Sequence, residues 1–179
     1  MLEKKKALRK IIKVRVSAIS ANERRKREEI LHNNLFSMPE FLDAKSVMLF
    51  ANLPDEIDTF SLIDKCFAMG KKVFLPVING DDMTACEFNG DYKIGKYGIK
   101  EPITPNSSLL IPNSIEFILV PGVAFSPNGY RLGRGKGYYD KFLSKYSNLF
   151  TVGVCFREQF FLDIPREPHD VPMNKVLVI

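Results

Sequence analysis

Five short apolar runs, "SVMLFAN", "KKVFLPVI", "EFILVPGVAF", "LFTVGVCF" and "VLVI", constrain the fold of this chain more than any other feature. Each is close to continuous in hydrophobic residues rather than alternating, as expected of strands covered on both faces. Helical patterns separate several of them. "DTFSLIDKCFAMG" has Asp58 or Thr59 to cap its start and Gly70 to stop it. Gly137 to about Lys145 carries Tyr138, Tyr139, Phe142 and Leu143. Strands alternating with helices predict an α/β fold with helices on both faces of a mostly parallel sheet. Ligands of such sheets sit beyond the carboxyl ends of the strands. Three stretches follow strands directly and are expected to gather on one rim: "NLPDEID", "PGVAFSPNGYRLGRGKGYYD" and "REQFFLDIPREPHD".

The remaining segments read as follows. About Glu3 to Ile19 is a helix with Leu8, Ile11, Ile12 and Ile19 as its apolar stripe, and with Lys5 and Arg9 on one face. Ser20 and Glu23 have capping-box spacing before a second helix, which places Ile30, Leu31, Leu35 and Phe36 inward and stops before Pro39. "MTACEF" and "DYKIG" suggest a strand pair turned by Asn89-Gly90. Pro102 to Pro112 reads as a connection, and "REPHDVPMNK" as a loop before the last strand.

The 179 residues suit one α/β domain spanning 1–179, and no repeat or low-complexity linker divides them. Apolar content of 45% and charged content of 26% are those of a globular protein. No apolar run approaches the ~20 residues of a membrane span, and the N-terminus lacks a secretory core. Cys66, Cys86 and Cys155 are odd in number, far apart and in apolar surroundings. They read as core residues of a cytoplasmic, reducing compartment. The net charge of +5 is uneven: residues 1–30 hold eleven Lys or Arg against four Asp or Glu. That segment suits either an anionic partner or a solvated helix face.

The stretch "GYRLGRGKGYYDKF" carries the chemistry. Gly133, Gly135 and Gly137 alternate with Arg134 and Lys136 and run into a helix start. Bare backbone amides, a helix N-terminus and two cations describe a polyphosphate cradle. It matches neither common nucleotide fingerprint: Gly137 stands where a P-loop has Ser or Thr, and the spacing of a dinucleotide motif fails at Tyr138 and Asp140. Asp140 falls one turn into the helix. It either complements the helix dipole or, with Asp170 in "EPHDVP", holds Mg²⁺ against substrate phosphates. In "PDEID", Asp58 suits a cap. Glu56 has no evident capping role and could bind an amino-heterocycle or act as an acid or base. His32 reads as a satisfied or surface histidine. His169 neighbours Asp170, but no Ser or Cys stands in an elbow that would complete a hydrolytic triad.

Together, "KKALR", "PDEID", "RLGRGKGYYD" after "LVPGVAFSPNG", and "EPHDVPMN" resemble the 5-formyltetrahydrofolate cyclo-ligase family, also called 5,10-methenyltetrahydrofolate synthetases. The likeness spans essentially the whole chain, in order. It implies a three-layer α/β/α fold similar to sugar-isomerase and CoA-transferase-like folds. It implies that ATP, with Mg²⁺, phosphorylates the formyl oxygen of 5-formyltetrahydrofolate. N10 then closes the ring, and ADP and phosphate are released. By the resemblance, Lys5, Lys6, Ala7, Leu8 and Arg9 contact ATP, as do Arg131, Leu132, Gly133, Arg134, Gly135, Lys136, Gly137, Tyr138 and Tyr139. Ala51 and Glu56, with Arg134 to Tyr138, contact the folate, and Asp140 and Asp170 hold Mg²⁺. Arg134 and Lys136 are expected to stabilise the transferring phosphoryl. The chain departs from the family pattern at Asn174, where an acidic residue is common.

Two other functions fit parts of the sequence. A nucleic-acid-binding module would use the basic N-terminal helices and stacking tyrosines, but leaves "PDEID" and Asp170 without a purpose. An isomerase or transferase of the related fold would use Glu56 as base and need no ATP. The expectation is a monomer that acts on ATP and a folate, with or without a polyglutamate tail, and binds neither nucleic acid nor membrane.

Overall fold

The protein is described by a computed structural model covering residues 1–94, 100–103, 114–146 and 148–179. Its helices are α1 (Leu2–Ser17), α2 (Ala21–Leu35), α3 (Pro39–Asp43), α4 (Phe60–Ala68) and α5 (Tyr138–Lys145). Its strands are β1 (Ser46–Met48), β2 (Lys72–Asn79), β3 (Asp82–Phe88), β4 (Tyr92–Ile94), β5 (Lys100–Pro102), β6 (Phe117–Val120), β7 (Ala124–Phe125), β8 (Arg131–Leu132), β9 (Phe150–Cys155) and β10 (Lys175–Val178). A 3₁₀ turn occupies Arg157–Gln159.

Six strands form the central sheet in the order β10-β9-β6-β1-β2-β3. All neighbours are parallel except β2 and β3. Successive strand residues face opposite sides, and the core divides accordingly. Val47, Leu119 and Val154 pack with α1 to α4, whereas Met48, Val120 and Cys155 pack with Phe142 and Leu143 of α5. The expected three-layer α/β/α arrangement with a mostly parallel sheet is therefore present. No described helix is long and apolar enough to cross a membrane.

Chain order reverses at β1. The chain leaves β1 for β2 and β3 on one side, then returns to lay β6, β9 and β10 on the other. The carboxyl ends of β1 and β6 therefore diverge into separate loops, which opens the crevice where ligands of such sheets bind.

Several local expectations change. "MTACEF" does not pair with "DYKIG". Its strand β3 folds back on β2 through Gly80 (φ 62°) and Asp81, with Asn79 opposite Asp82. The hairpin thus uses the earlier Asn-Gly dipeptide, and β4 pairs with β5 instead. Asn89-Gly90 still turns the chain, with Asn89 Oδ1 accepting from the Asp91 N–H at 3.1 Å. "EFILVPGVAF" is not one strand: β6 ends at Val120, before Pro121, and Ala124–Phe125 joins a separate ribbon with β8. A short helix at Pro39, which no periodicity announced, uses proline at its first turn. Ile11 and Ile30 are exposed; Val16 takes the inward place on α1. Ser20 caps α2 by accepting from the Glu23 N–H, but the Glu23 carboxylate turns to Arg27 instead of closing a box. Most of the Pro102 to Pro112 connection lies outside the described residues.

His32 is buried, with Lys65 Nζ at 2.9 Å from one ring nitrogen and Ser61 Oγ at 3.4 Å from the other. Burial, aided by Lys65, pushes its pKa below the usual histidine range. The three cysteines are buried and free. Burial raises the Cys66 and Cys155 thiols to about 12, so neither is a thiolate nucleophile near neutrality.

Phe125 holds the two halves of the rim together. Its fully buried ring lies across Gly122 and Gly153, and a Cβ at Gly122 would come within 2.6 Å of it. A methyl group at Gly153 would run into the same ring. Gly153→Ala is therefore expected to destabilise the fold by about 1–3 kcal/mol. In urea unfolding this appears as a lower midpoint at unchanged slope.

Candidate active site at the switch point of the sheet

The loop after β1 is cross-braced by its own side chains. The Thr59 hydroxyl donates to the Phe50 carbonyl, and the Thr59 N–H donates to Asn52 Oδ1 at 3.2 Å. Thr59 is the N-cap of α4, and Asp58 just before it accepts from the Phe60 N–H at 3.0 Å. Glu56 does have a turn-closing role, contrary to the sequence reading. Its Oε2 accepts from the Leu53 N–H at 2.9 Å, while the Glu56 N–H donates to the Leu53 carbonyl. This leaves Oε1 directed at the neighbouring loop.

That neighbour is the glycine-rich stretch. After β6 the chain turns through the β7–β8 ribbon and returns at Arg131. Gly135 (φ 109°) and Gly137 (φ 69°, the N-cap of α5) adopt backbone conformations that side chains disfavour. The loop is held from two sides. Arg9 of α1 donates from Nε to the Gly133 carbonyl at 2.9 Å. Arg134 donates to Glu56 Oε1 at 3.1 and 3.0 Å and to Asp55 Oδ1 at 2.7 Å. Lys136 is exposed and makes no hydrogen bond or ion pair with a described residue. Tyr138 reaches the Gly80 carbonyl at 3.4 Å, tying the loop to the β2–β3 turn.

An open cleft of ≈ 210 Å³ lies between these loops and α1. Its walls are Arg9, Ile12, Lys13 and Val16 of α1, Asp55 and Glu56, Gly122 and Val123, Arg134, and Gln159. The three stretches expected on one rim do meet there. Gln159 joins two of them: its amide donates to the Gly122 and Val123 carbonyls at 3.1 Å, and its oxygen accepts from the Phe156 N–H at 3.0 Å. Sequence reasoning passed over Gln159, Asp55 and the apolar cleft wall. Only the position of "REQ" directly after a strand could have pointed to Gln159.

The other expected residues surround a second cluster, behind the glycine loop. Arg131 is buried, with its guanidinium 2.9 Å from Asp140 Oδ1, donating to the Val171 carbonyl at 3.0 Å, and 5.8 Å from the Tyr139 ring centre. Burial lowers its pKa, opposed by Asp140. The same Asp140 oxygen accepts from the Val171 N–H at 3.2 Å, which brings Asp140 next to Asp170 in the final loop. Asp170 Oδ2 accepts from the Glu167 N–H at 2.7 Å and lies 3.4 Å from Lys5 Nζ. Lys6 and Ala7 are exposed, Leu8 packs against the core, Ala51 is half-buried and Leu132 is buried. His169 is exposed, 3.8 Å from Asp170.

Asn174 does not replace an acidic group in this cluster. Its side-chain Oδ1 accepts from the Thr151 N–H and hydroxyl at 2.8 Å each, fastening the start of β10 to β9. Among the described residues, no three His, Cys, Asp or Glu side chains are grouped to hold a metal ion. The hydrogen bonds above use Asp140 Oδ1 and Asp170 Oδ2, and Asp170 Oδ1 faces only the exposed His169, at 3.8 Å. Such a pair fits an ion that brings its remaining oxygens on a phosphate ligand, as Mg²⁺ does.

Removing the Asp140 carboxylate strands the buried Arg131 charge. Asp140→Ala is expected to cost about 3–5 kcal/mol, measured by urea unfolding in the absence of ligand.

Comparison with known proteins gives one consistent result. The model of the 5-formyltetrahydrofolate cyclo-ligase family matches residues 1–179. A probable 5-formyltetrahydrofolate cyclo-ligase of Schizosaccharomyces pombe is 35% identical over 158 residues, 78% of each chain. One from Caenorhabditis elegans is 31% identical, covering 98% of this chain and 92% of that one. The solution structure of 5,10-methenyltetrahydrofolate synthetase from Aquifex aeolicus superposes with a TM-score of 0.86 at 34% identity, covering 97% of this chain and 89% of that one. The Mycoplasma pneumoniae synthetase shares the fold at a TM-score of 0.77 and 22% identity, with 96% of each chain covered. With its rim loops, its glycine turn and its entire length matched, the chain belongs to the 5-formyltetrahydrofolate cyclo-ligase family.

Proposed function

We propose that this chain, acting as one α/β domain, uses ATP to convert 5-formyltetrahydrofolate to 5,10-methenyltetrahydrofolate, releasing ADP and phosphate. One observation carries the reading. At the switch point of the parallel sheet, the glycine turn that starts α5 faces the Asp55–Glu56 loop across the cleft, with Arg134 bridging the two. On this reading the turn is an anion cradle beside a carboxylate suited to a pterin's amino group.

The formyl oxygen of an amide-like group leaves poorly. Transfer of the γ-phosphoryl group to it breaks the bond to ADP and makes the oxygen part of a phosphate leaving group. N10 then attacks the activated carbon and loses its proton. The C–O bond to phosphate breaks, and the ring closes as the methenyl cation. No protein nucleophile is required, so the residues act by positioning and by charge. The backbone of Arg131 to Tyr139 and the Lys5 to Arg9 segment would line the triphosphate. Arg134 and Lys136 would meet the transferring phosphoryl, and Ala51 and Glu56, with Arg134 to Tyr138, would hold the folate. Asp140 and Asp170 would hold Mg²⁺, which neutralises phosphate charge. Three buried free thiols suit a cytoplasmic setting.

Both alternatives lose ground to specific contacts. Glu56 is a poor general base here, because one oxygen accepts from a backbone amide and the other from Arg134. The basic N-terminal helices are partly committed inside the protein: Lys5, Arg9, Arg24 and Arg27 all make intramolecular contacts.

The deciding assay follows near-ultraviolet absorbance of the protein with 5-formyltetrahydrofolate, Mg²⁺ and ATP. Methenyl-folate should accumulate only when ATP is present; a flat trace from folded protein would remove the cyclo-ligase reading. In the same assay, Lys136→Ala should lower kcat by about 10²-fold, a larger effect than its weakening of folate binding. Unchanged turnover would exclude Lys136 from the phosphoryl site.

A further inference from the structure

Glu167 has no role in the scheme above, yet it joins the first helix to the final loop. Lys5 of α1 is unusually enclosed for a lysine, its side chain only 11% exposed, and such an ammonium is retained inside only when paired. Its Nζ lies 2.7 Å from Glu167 Oε2 and 3.4 Å from Asp170 Oδ2. The Glu167 backbone N–H donates to that same Asp170 oxygen at 2.7 Å. Glu167 therefore grips Lys5 with its side chain and Asp170 with its backbone.

From this double grip we infer that Glu167 is a positioning residue for Mg-ATP, acting through Lys5. The inference rests on the nucleotide reading of the rim. A divalent cation arriving on phosphates attracts the Asp170 carboxylate and repels the ammonium beside it. The longer Lys5–Asp170 contact is the one such a cation replaces. The shorter contact to Glu167, whose side chain is 42% exposed, keeps Lys5 at the edge of the nucleotide site. Without Glu167, the flexible lysine stem must be ordered afresh at each binding event, and affinity for the phosphates falls.

The test is titration calorimetry with Mg-ATP and, separately, with 5-formyltetrahydrofolate. It compares the wild-type chain, Glu167→Gln, Lys5→Met and the double variant, with urea midpoints to verify folding. Glu167→Gln is expected to weaken Mg-ATP binding about tenfold and to leave folate affinity within about twofold, the scatter of neutral contacts. Adding it to Lys5→Met should cost nothing further, because a residue that works through another is silent once that other is gone. Additive losses, equal losses for both ligands, or wild-type affinity in Glu167→Gln would overturn the inference. A wild-type chain that binds Mg-ATP but forms no methenyl product would refute the cyclo-ligase reading and still decide the role of Glu167. A wild-type chain that binds no nucleotide would refute both.

Discussion

The rim depends on β1 lying between β2 and β6. Parallel strands buried on both faces cannot slide, because a shift of one residue exchanges the two packed faces. Val47 pairs with both Val73 and Phe117, so three carboxyl ends are held in fixed relation. The loops that leave them inherit that relation. Glu56 and Arg134 are 78 positions apart in the chain and meet for this reason.

Charge then completes what the sheet begins. The glycine loop has few side chains with which to pack, and its position comes from ionic contacts made around it. Arg9 lies over it, Arg134 ties it to the β1 loop, and Arg131 anchors its root to Asp140. The buried Arg131–Asp140 pair contributes little net stability against an apolar alternative, but breaking it is costly. Such a pair sets geometry: it fixes the first turn of α5 against the final loop, where Asp170 stands. The exposed Arg134 contacts are weaker and can exchange partners when an anionic or amino-bearing ligand enters.

Much of this was legible beforehand. The near-continuous strand runs announced a parallel sheet, and glycine alternating with Arg and Lys ahead of a helix announced an anion site. These signals are local, carried by composition and spacing within about ten residues. The misreadings have equally local causes. Two Asn-Gly dipeptides stand ten residues apart, and turn chemistry cannot say which one makes the hairpin. In the fold Asn79-Gly80 makes it, and β3 pairs along β2 at the sheet edge. Ile11 and Val16 both fit a helical stripe, and the direction of the sheet chose Val16.

By itself the sequence determined the fold class, the family resemblance and the chemical character of the rim, because apolar periodicity, glycine placement and charge are properties of short segments. Only the tertiary structure decided which charges meet. It sent Lys5 to Glu167 and Asp170, buried Arg131 against Asp140, paired Arg134 with Glu56, and put Gln159 beneath the cleft. Lys5 and Arg134 meet partners from distant parts of the chain, and even Arg131 and Asp140, nearer in sequence, come together only because the chain turns from β8 into α5. An ionic contact depends on the distance between two groups, and chain separation does not supply it.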